Sequence, residues 1–292
     1  MIEILKSIFL GIVEGITEWL PISSTGHLLL VNEFLNLNVS DDPERNHAFL
    51  DMFDVVIQLG AIFAVVVIFW KKLFPFGKKN NQHPLSENGF GAYIKTDIFQ
   101  MWFKVVAACI PAAVVGALFN DWIKEHFYNP FVIAAALIIF GIAFIVIENG
   151  NKTRTSKVNT IDELTYKAAF IIGIFQLIAA LFPGTSRSGA TIVGALLIGV
   201  ARPVAAEFTF YLAIPVMFGA SLLELLSFGT DFTGTEIGVL AVGMIVSFVV
   251  SVAVIKFLMD YIKKHDFKVF GWYRIILGAL VLLYFGIISK AV

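Results

Sequence analysis

Runs of apolar residues separated by short polar stretches make up most of this chain, and their lengths sort them into two kinds. Six runs approach the ~20 residues that a helix needs to cross a bilayer. They are Phe53 to Trp70, about Ile98 to Phe119, about Phe131 to Ile147, about Phe208 to Phe228, Ile237 to Leu258 and Val269 to Ile288. The remaining apolar pieces are shorter. Ile2 to Leu20 has helical periodicity but stops at Pro21 and the Ser23-Ser24-Thr25-Gly26 run, and His27 to Leu37 follows as a second short piece. Two short helices joined by a polar, proline-containing turn predict a re-entrant hairpin, a form tolerated at membrane depth only where it lines protein or a water-filled cavity. Val39 to Asp51, Pro75 to Lys95, the turn Asn120 to Pro130 and the connector Glu148 to Asp162 read as loops.

The pattern then repeats. Gly173-Ile174-Phe175-Gln176 echoes Gly11-Ile12-Val13-Glu14, and Leu181-Phe182-Pro183-Gly184-Thr185-Ser186 echoes Trp19-Leu20-Pro21-Ile22-Ser23-Ser24, both at an offset of 162 positions. Farther along, Leu118-Phe119-Asn120-Asp121-Trp122-Ile123-Lys124 matches Phe257-Leu258-Met259-Asp260-Tyr261-Ile262-Lys263. A broken hairpin followed by three spans, twice over, predicts an all-α polytopic membrane protein. It forms a single membrane domain over residues 1–292 with repeat halves of about 1–148 and 163–292. Three spans per half is odd, so the second copy enters the membrane inverted, the arrangement in which transporters build binding sites from discontinuous helices near the midplane.

Composition supports the membrane assignment: 58% of the 292 residues are apolar and 15% charged, with a mean hydropathy of +0.85, against about 25% charged in soluble domains. A net charge of -1 gives no reason to expect a nucleic-acid partner. The distribution of cations matters more. Lys71, Lys72, Lys78, Lys79 and Lys95 fall on one side, joined by Lys152, Arg154, Lys157, Arg202, Lys256, Lys263, Lys264 and Lys268, while the opposite loops carry Arg45 alone. Lysine-rich loops face the cytoplasm, so both termini are expected outside, with the first hairpin dipping in from there. The N-terminal run lacks a basic leader and is interrupted by Glu14 and Glu18, and so reads as mature protein. Cys109 lies alone in an apolar run and reads as a small core residue.

The candidate chemistry sits in the two hairpins. A carboxylate at the centre of a span costs roughly 2.5 to 3.5 kcal/mol, and Glu14 and Glu18, four apart, share one helix face with Gly11 and Gly15 leaving room beside them. Such a pair either holds a hard divalent cation, Mg²⁺ or Ca²⁺, or keeps a proton between its members. His27 stands three residues after Ser24. It is a candidate base toward that serine, or itself the nucleophile or general acid. The second tip, Pro183-Gly184-Thr185-Ser186-Arg187-Ser188-Gly189-Ala190-Thr191, brings glycine, hydroxyls, helix-start N–H groups and a guanidinium together, which is chemistry for a phosphate. It is not a Walker loop. Asp54 and Glu207, at span ends, read as interfacial.

These stretches resemble the signature regions of the undecaprenyl-diphosphate phosphatase family, the bacitracin-resistance type of polytopic phosphatase. The matching motifs are Glu-x-x-x-Glu followed by Pro-x-Ser-Ser-Thr-Gly-His, here Glu14 to His27, and Pro-Gly-x-Ser-Arg-Ser-x-x-Thr, here Pro183 to Thr191. Val55-Val56-Ile57-Gln58-Leu59-Gly60 and Glu207-Phe208 are further family-like pieces. The resemblance implies removal of one phosphate from a C55 isoprenyl diphosphate carrier at the outer face of a bacterial plasma membrane, returning the carrier to peptidoglycan synthesis and giving bacitracin resistance. It also implies a catalytic set of Glu14, Glu18, Ser24, His27 and Arg187, with Ser186, Ser188 and Thr191 lining the phosphate site. Ser23, Thr25 and Gly184 complete the candidate substrate-binding tips. The expected partners are the prenyl diphosphate lipid and membrane lipids, with a homodimer left open. A transporter or flippase of a prenyl-phosphate lipid is the competing function, since it too needs an anion cradle. It has no need of Ser24 beside His27.

Overall fold

The described residues of the computed structural model, 1–35, 37–78 and 81–288 without the side chains of Asn120, Asp121, Lys124 and Ile288, carry ten α-helices. In chain order these are α1 (Ile2–Thr17), α2 (Ser24–Phe34), α3 (Pro43–Leu73), α4 (Thr96–Phe127), α5 (Pro130–Asn151), α6 (Tyr166–Leu181), α7 (Arg187–Leu197), α8 (Arg202–Phe228), α9 (Gly234–Tyr261) and α10 (Lys268–Leu283). Six of them, α3, α4, α5, α8, α9 and α10 together with the helical turn that carries it on to Ile287 (20 residues), are long and apolar enough to cross a membrane. At 16, 11, 16 and 11 residues, α1, α2, α6 and α7 fall short of the ~20 required. Lys79, one of the orienting lysines, lies outside the described residues.

Element boundaries depart from the hydropathy pattern where capping outweighs polarity. Val39 to Asp51 is helix from Pro43 onward: Asp42 accepts the Glu44 N–H at 3.0 Å and Pro43 fills the first helical position, where its missing N–H costs nothing. The turn expected over Asn120 to Pro130 shrinks in the same way. Helix α4 continues to Phe127, and Asn129 caps α5 by accepting the Val132 N–H at 3.1 Å.

The short helices double back in pairs. The Asn38 N–H, just past α2, donates to Glu3 Oε2 at 2.7 Å, so α2 ends where α1 begins. Around the Val158–Val200 bridge, Lys157 N–H donates to Gly199 O (2.8 Å) and Ala201 N–H to Val158 O (2.9 Å), bringing the exit of α7 to the entry of α6. The open ends of the two helix pairs lie at opposite ends of the helix bundle. The first end is marked by Ser7 Oγ donating to Val239 O and by Arg45 forking onto the buried Glu236 at 2.8 Å to each oxygen. At the other end Lys72 reaches Glu207 at 2.8 Å, Arg202 grips the buried Glu148, and the Phe267 N–H donates to the same carboxylate.

Helix α1 packs on α9, α6 on α4, α3 on both α8 and α9, α4 also on α8, and α5 on α10. Glycine permits the first of these contacts: a Cβ on Gly11 would lie 2.7 Å from Gly243 O, and one on Gly15 would lie 2.8 Å from Val250 Cβ. The space that these glycines leave is therefore filled by α9 and is not free beside the carboxylates. Trp19, fully buried and edge-on to Phe210 at 5.2 Å, seats the first tip on the core.

Candidate active site at the meeting of two hairpin tips

Each tip is built around one strained serine. Ser23 at φ 75° and Ser186 at φ 67° are the N-caps of α2 and α7, and their hydroxyls accept the Gly26 and Gly189 N–H groups at 3.4 and 3.1 Å. Positive φ is uncommon for a residue with a Cβ and is kept only where the surroundings impose it. Equivalent caps at 23 and 186 differ by 163, one more than the sequence offset of 162. The longer second tip includes Gly184 at φ 88°, whose absent Cβ would lie 2.5 Å from Ile133 O, so only glycine fits there. Each cap leaves the first N–H groups of its helix without intrahelical partners. Two helix N-termini are thus brought toward one place, an arrangement suited to an anion.

Glu18 joins the tips. Its Oε2 accepts a hydrogen bond from Ser24 Oγ at 2.9 Å, its Oε1 pairs with Arg187 Nη2 at 2.9 Å, and its backbone carbonyl accepts Ser188 Oγ at 3.1 Å. The guanidinium also donates to Thr209 O at 2.9 Å. Ser186 and Ser188 hydroxyls lie 3.1 Å apart, and Thr191 Oγ1 bonds to Arg187 O, at 2.9 Å, and to Thr209 Oγ1, at 2.8 Å. Thr25 is half-buried in the first turn of α2. Of the residues singled out in the sequence, Glu18, Ser24, Arg187 and Ser188 form one hydrogen-bonded chain, and Ser23, Gly184, Ser186 and Thr191 shape its walls.

Two of the candidate catalytic residues stand apart from that chain. Glu14 is fully buried, and neither of its carboxylate oxygens has a hydrogen-bond partner among the described residues. Among the described residues, the His27 ring makes its hydrogen bonds to groups other than Ser24. Its Nδ1 donates to Ser23 O at 2.7 Å, which leaves Nε2 to accept from Tyr273 OH at 2.7 Å while the rings stack at 5.5 Å. The group that receives the Ser24 hydrogen bond is Glu18. Among the described residues no three His, Cys, Asp or Glu side chains converge as a cation cage. A cation would still suit the orphaned Glu14 oxygens, with an oxygen-rich ligand completing the coordination.

Tyr273 and Arg274 were not singled out from the sequence. Arg274, fully buried in α10, donates to Thr185 O (2.6 Å), Gly184 O (3.0 Å) and Pro21 O (3.3 Å). A lone arginine inside the apolar run Val269 to Ile288 was the available signal, by the rule that flags Glu14 and Glu18. Asp54 and Glu207 are less exposed than a span-end reading suggests: Asp54 Oδ2 accepts from Asn32 at 3.0 Å, and Glu207 is held by Lys72 and Tyr211.

Six candidate spans together with two convergent helix starts, joined by a Ser–Glu–Arg chain, define a multi-pass membrane protein with a polar, hydrogen-bonded junction among its helices. A family model described as bacitracin resistance protein BacA matches residues 7–280. Proteins named undecaprenyl-diphosphatase from Desulfitobacterium hafniense and Enterococcus faecalis are 61% and 62% identical, covering 98% and 97% of this chain and 97% of each relative. One from Clostridium acetobutylicum, named undecaprenyl-diphosphatase 1, is 61% identical over 98% of this chain and 99% of its own. The chain belongs to the bacitracin resistance protein BacA family.

Proposed function

We propose that this protein is an undecaprenyl-diphosphate phosphatase, releasing inorganic phosphate from the lipid diphosphate and returning the lipid monophosphate. The observation that carries the reading is the Glu18 carboxylate, which holds a serine of one hairpin and an arginine of the other at 2.9 Å each. A phosphate cradle alone needs Arg187 and the helix N-termini. It does not need a hydroxyl bonded to a carboxylate.

In the reaction we infer, Arg187 and the N–H groups of the two caps hold the terminal phosphate. Ser24 Oγ gives its proton to Glu18 and forms a bond to the terminal phosphorus, and the bond from that phosphorus to the bridging oxygen breaks, releasing prenyl monophosphate. Glu18 passes that proton to the departing monophosphate; water then attacks the seryl phosphate and gives a proton to Glu18, which returns it to Ser24 Oγ as inorganic phosphate leaves. His27, fixed by Ser23 and Tyr273, serves as acid or base at the mouth of the site. Ser186, Ser188 and Thr191 keep Arg187 in place. We include a divalent cation, Mg²⁺ or Ca²⁺, held through Glu14 together with Glu18, which when bound would neutralise charge on the diphosphate.

The same reading takes the hairpins as re-entrant and the two halves, about 1–148 and 163–292, as an inverted repeat of one membrane domain. Exchanging α1–α5 with α6–α10 turns α1 on α9 into α6 on α4, turns α3 on α9 into α8 on α4, and leaves α3 on α8 and α5 on α10 as they are. The acidic end, where Arg45 is neutralised by Glu236, is taken as the outer face of a bacterial plasma membrane, and the lysine-rich end as cytoplasmic. Recycling the carrier there would sustain peptidoglycan synthesis and cell shape and oppose bacitracin. The test is phosphate release from undecaprenyl diphosphate by purified protein in detergent, with and without Mg²⁺ or Ca²⁺. Transport cannot register there, so release supports the phosphatase. Folded protein releasing none would promote the flippase.

A further inference from the structure

We propose that Arg274 is the positioning residue that locks the two hairpin tips into one site. This rests on the phosphatase reading for its kinetic consequence but not for its structural one. The guanidinium is fully buried on α10, and its partners are backbone carbonyls: Pro21 O of the first tip at 3.3 Å, Gly184 O and Thr185 O of the second at 3.0 and 2.6 Å, and Leu137 O of α5 at 3.5 Å. Four acceptors from three separate segments turn toward one side chain. Their residues therefore present the opposite side of their backbone, and the adjoining helix starts, to the space between the tips. A cation without a carboxylate partner is expensive to bury. Here it is spent beneath a site whose substrate is anionic.

Packing of α5 on α10 does not itself ask for arginine. Gly141 and Gly271 mark the crossing, because a Cβ on either would lie 2.7 Å from the carbonyl oxygen of the other. Three residues farther along each helix the equivalent positions are Phe144 and Arg274, and the phenylalanine packs on Phe267 at 5.7 Å with no charge. One side of the crossing is thus served by an apolar ring and the tip side by a guanidinium. The caps are shaped to it as well: a Cβ on Gly189 would come within 2.8 Å of Arg274 Nη1. Glu18 joins the tips through side chains on the ligand side, whereas Arg274 joins their backbones from behind. Planar fork geometry suits arginine to several carbonyls at once, which a single ammonium cannot reproduce.

The experiment compares purified wild type, Arg274→Lys and Arg274→Ala in detergent by hydrogen exchange and by phosphate release. Amide exchange over residues 23–27 and 185–190 should accelerate in both tips together, in both variants, while α3 and α8 keep their protection. Turnover of Arg274→Lys should fall ~10²-fold in kcat with KM little changed, the scale of a small misplacement of reacting groups. Guanidinium at low millimolar concentration should restore part of the activity of Arg274→Ala, whereas sodium chloride at equal ionic strength should not. Wild-type exchange in either tip, undiminished kcat in Arg274→Lys, absence of guanidinium rescue, or failure of both variants to fold would overturn the proposal. If wild type itself releases no phosphate, the phosphatase reading fails, and the exchange data alone still decide the role of Arg274.

Discussion

Replacing Glu18 by glutamine changes one atom and removes one charge at the junction of the two tips. The carboxylate now serves two donors, Ser24 Oγ on Oε2 and Arg187 Nη2 on Oε1, each at 2.9 Å. An amide offers one oxygen, so one donor must face an NH₂. If the oxygen stays with Arg187, Ser24 loses its proton acceptor. If it stays with Ser24, a guanidinium whose side chain is only 13% exposed loses its counter-charge. Breaking a buried pair costs ~3–5 kcal/mol. Loss of one preorganised group at a reacting centre lowers turnover ~10²–10³-fold, or ~2.7–4 kcal/mol. Glu18→Gln should therefore lose that much kcat for phosphate release in detergent while keeping its helical circular dichroism, with a lowered thermal midpoint. A folded Glu18→Gln protein turning over within a few fold of wild type would refute the assignment of Glu18 as the Ser24 base.

Glu14→Gln should behave differently. Both Glu14 oxygens are buried without hydrogen-bond partners among the described residues, so neutralising the group should raise the thermal midpoint in chelator while abolishing any stabilisation by Mg²⁺ or Ca²⁺ and most of the turnover. Unchanged metal response would remove Glu14 from the cation site. For orientation, Lys78→Cys and Asp231→Cys, each in a Cys109→Ala background, should separate when intact cells meet an impermeant thiol reagent. Asp231→Cys should label and Lys78→Cys should not. The reverse pattern would invert the assigned faces.

Hydropathy was enough to find the six spans, because apolar length is what a bilayer selects, and Glu14, Glu18 and Arg187 stood out because ionisable groups are costly there. Element ends were harder to read. The polar Ser40 to Glu44 stretch looks like loop until Asp42 is recognised as a cap before Pro43. Partner choice was not legible at all: spacing puts His27 near Ser24, but the strained φ of Ser23 turns the chain so that His27 faces Ser23 O and Tyr273, and Glu18 meets Ser24. Arg274 was visible as a lone cation in an apolar run. Its meaning depends on carbonyls more than 80 residues away in sequence, which no local pattern encodes.

The central claim is that one active site is assembled from two hairpins, and the coupling between Glu18 and Arg187 tests it most directly. Phosphate release would be measured for wild type, Glu18→Gln, Arg187→Lys and the double variant, all shown to be folded. Groups that act as one unit give strongly non-additive losses. The double variant should fall little further than the worse single variant. A double loss equal to the product of the two single losses would mean that Glu18 and Arg187 act independently, and would contradict the assembly of one site from both tips.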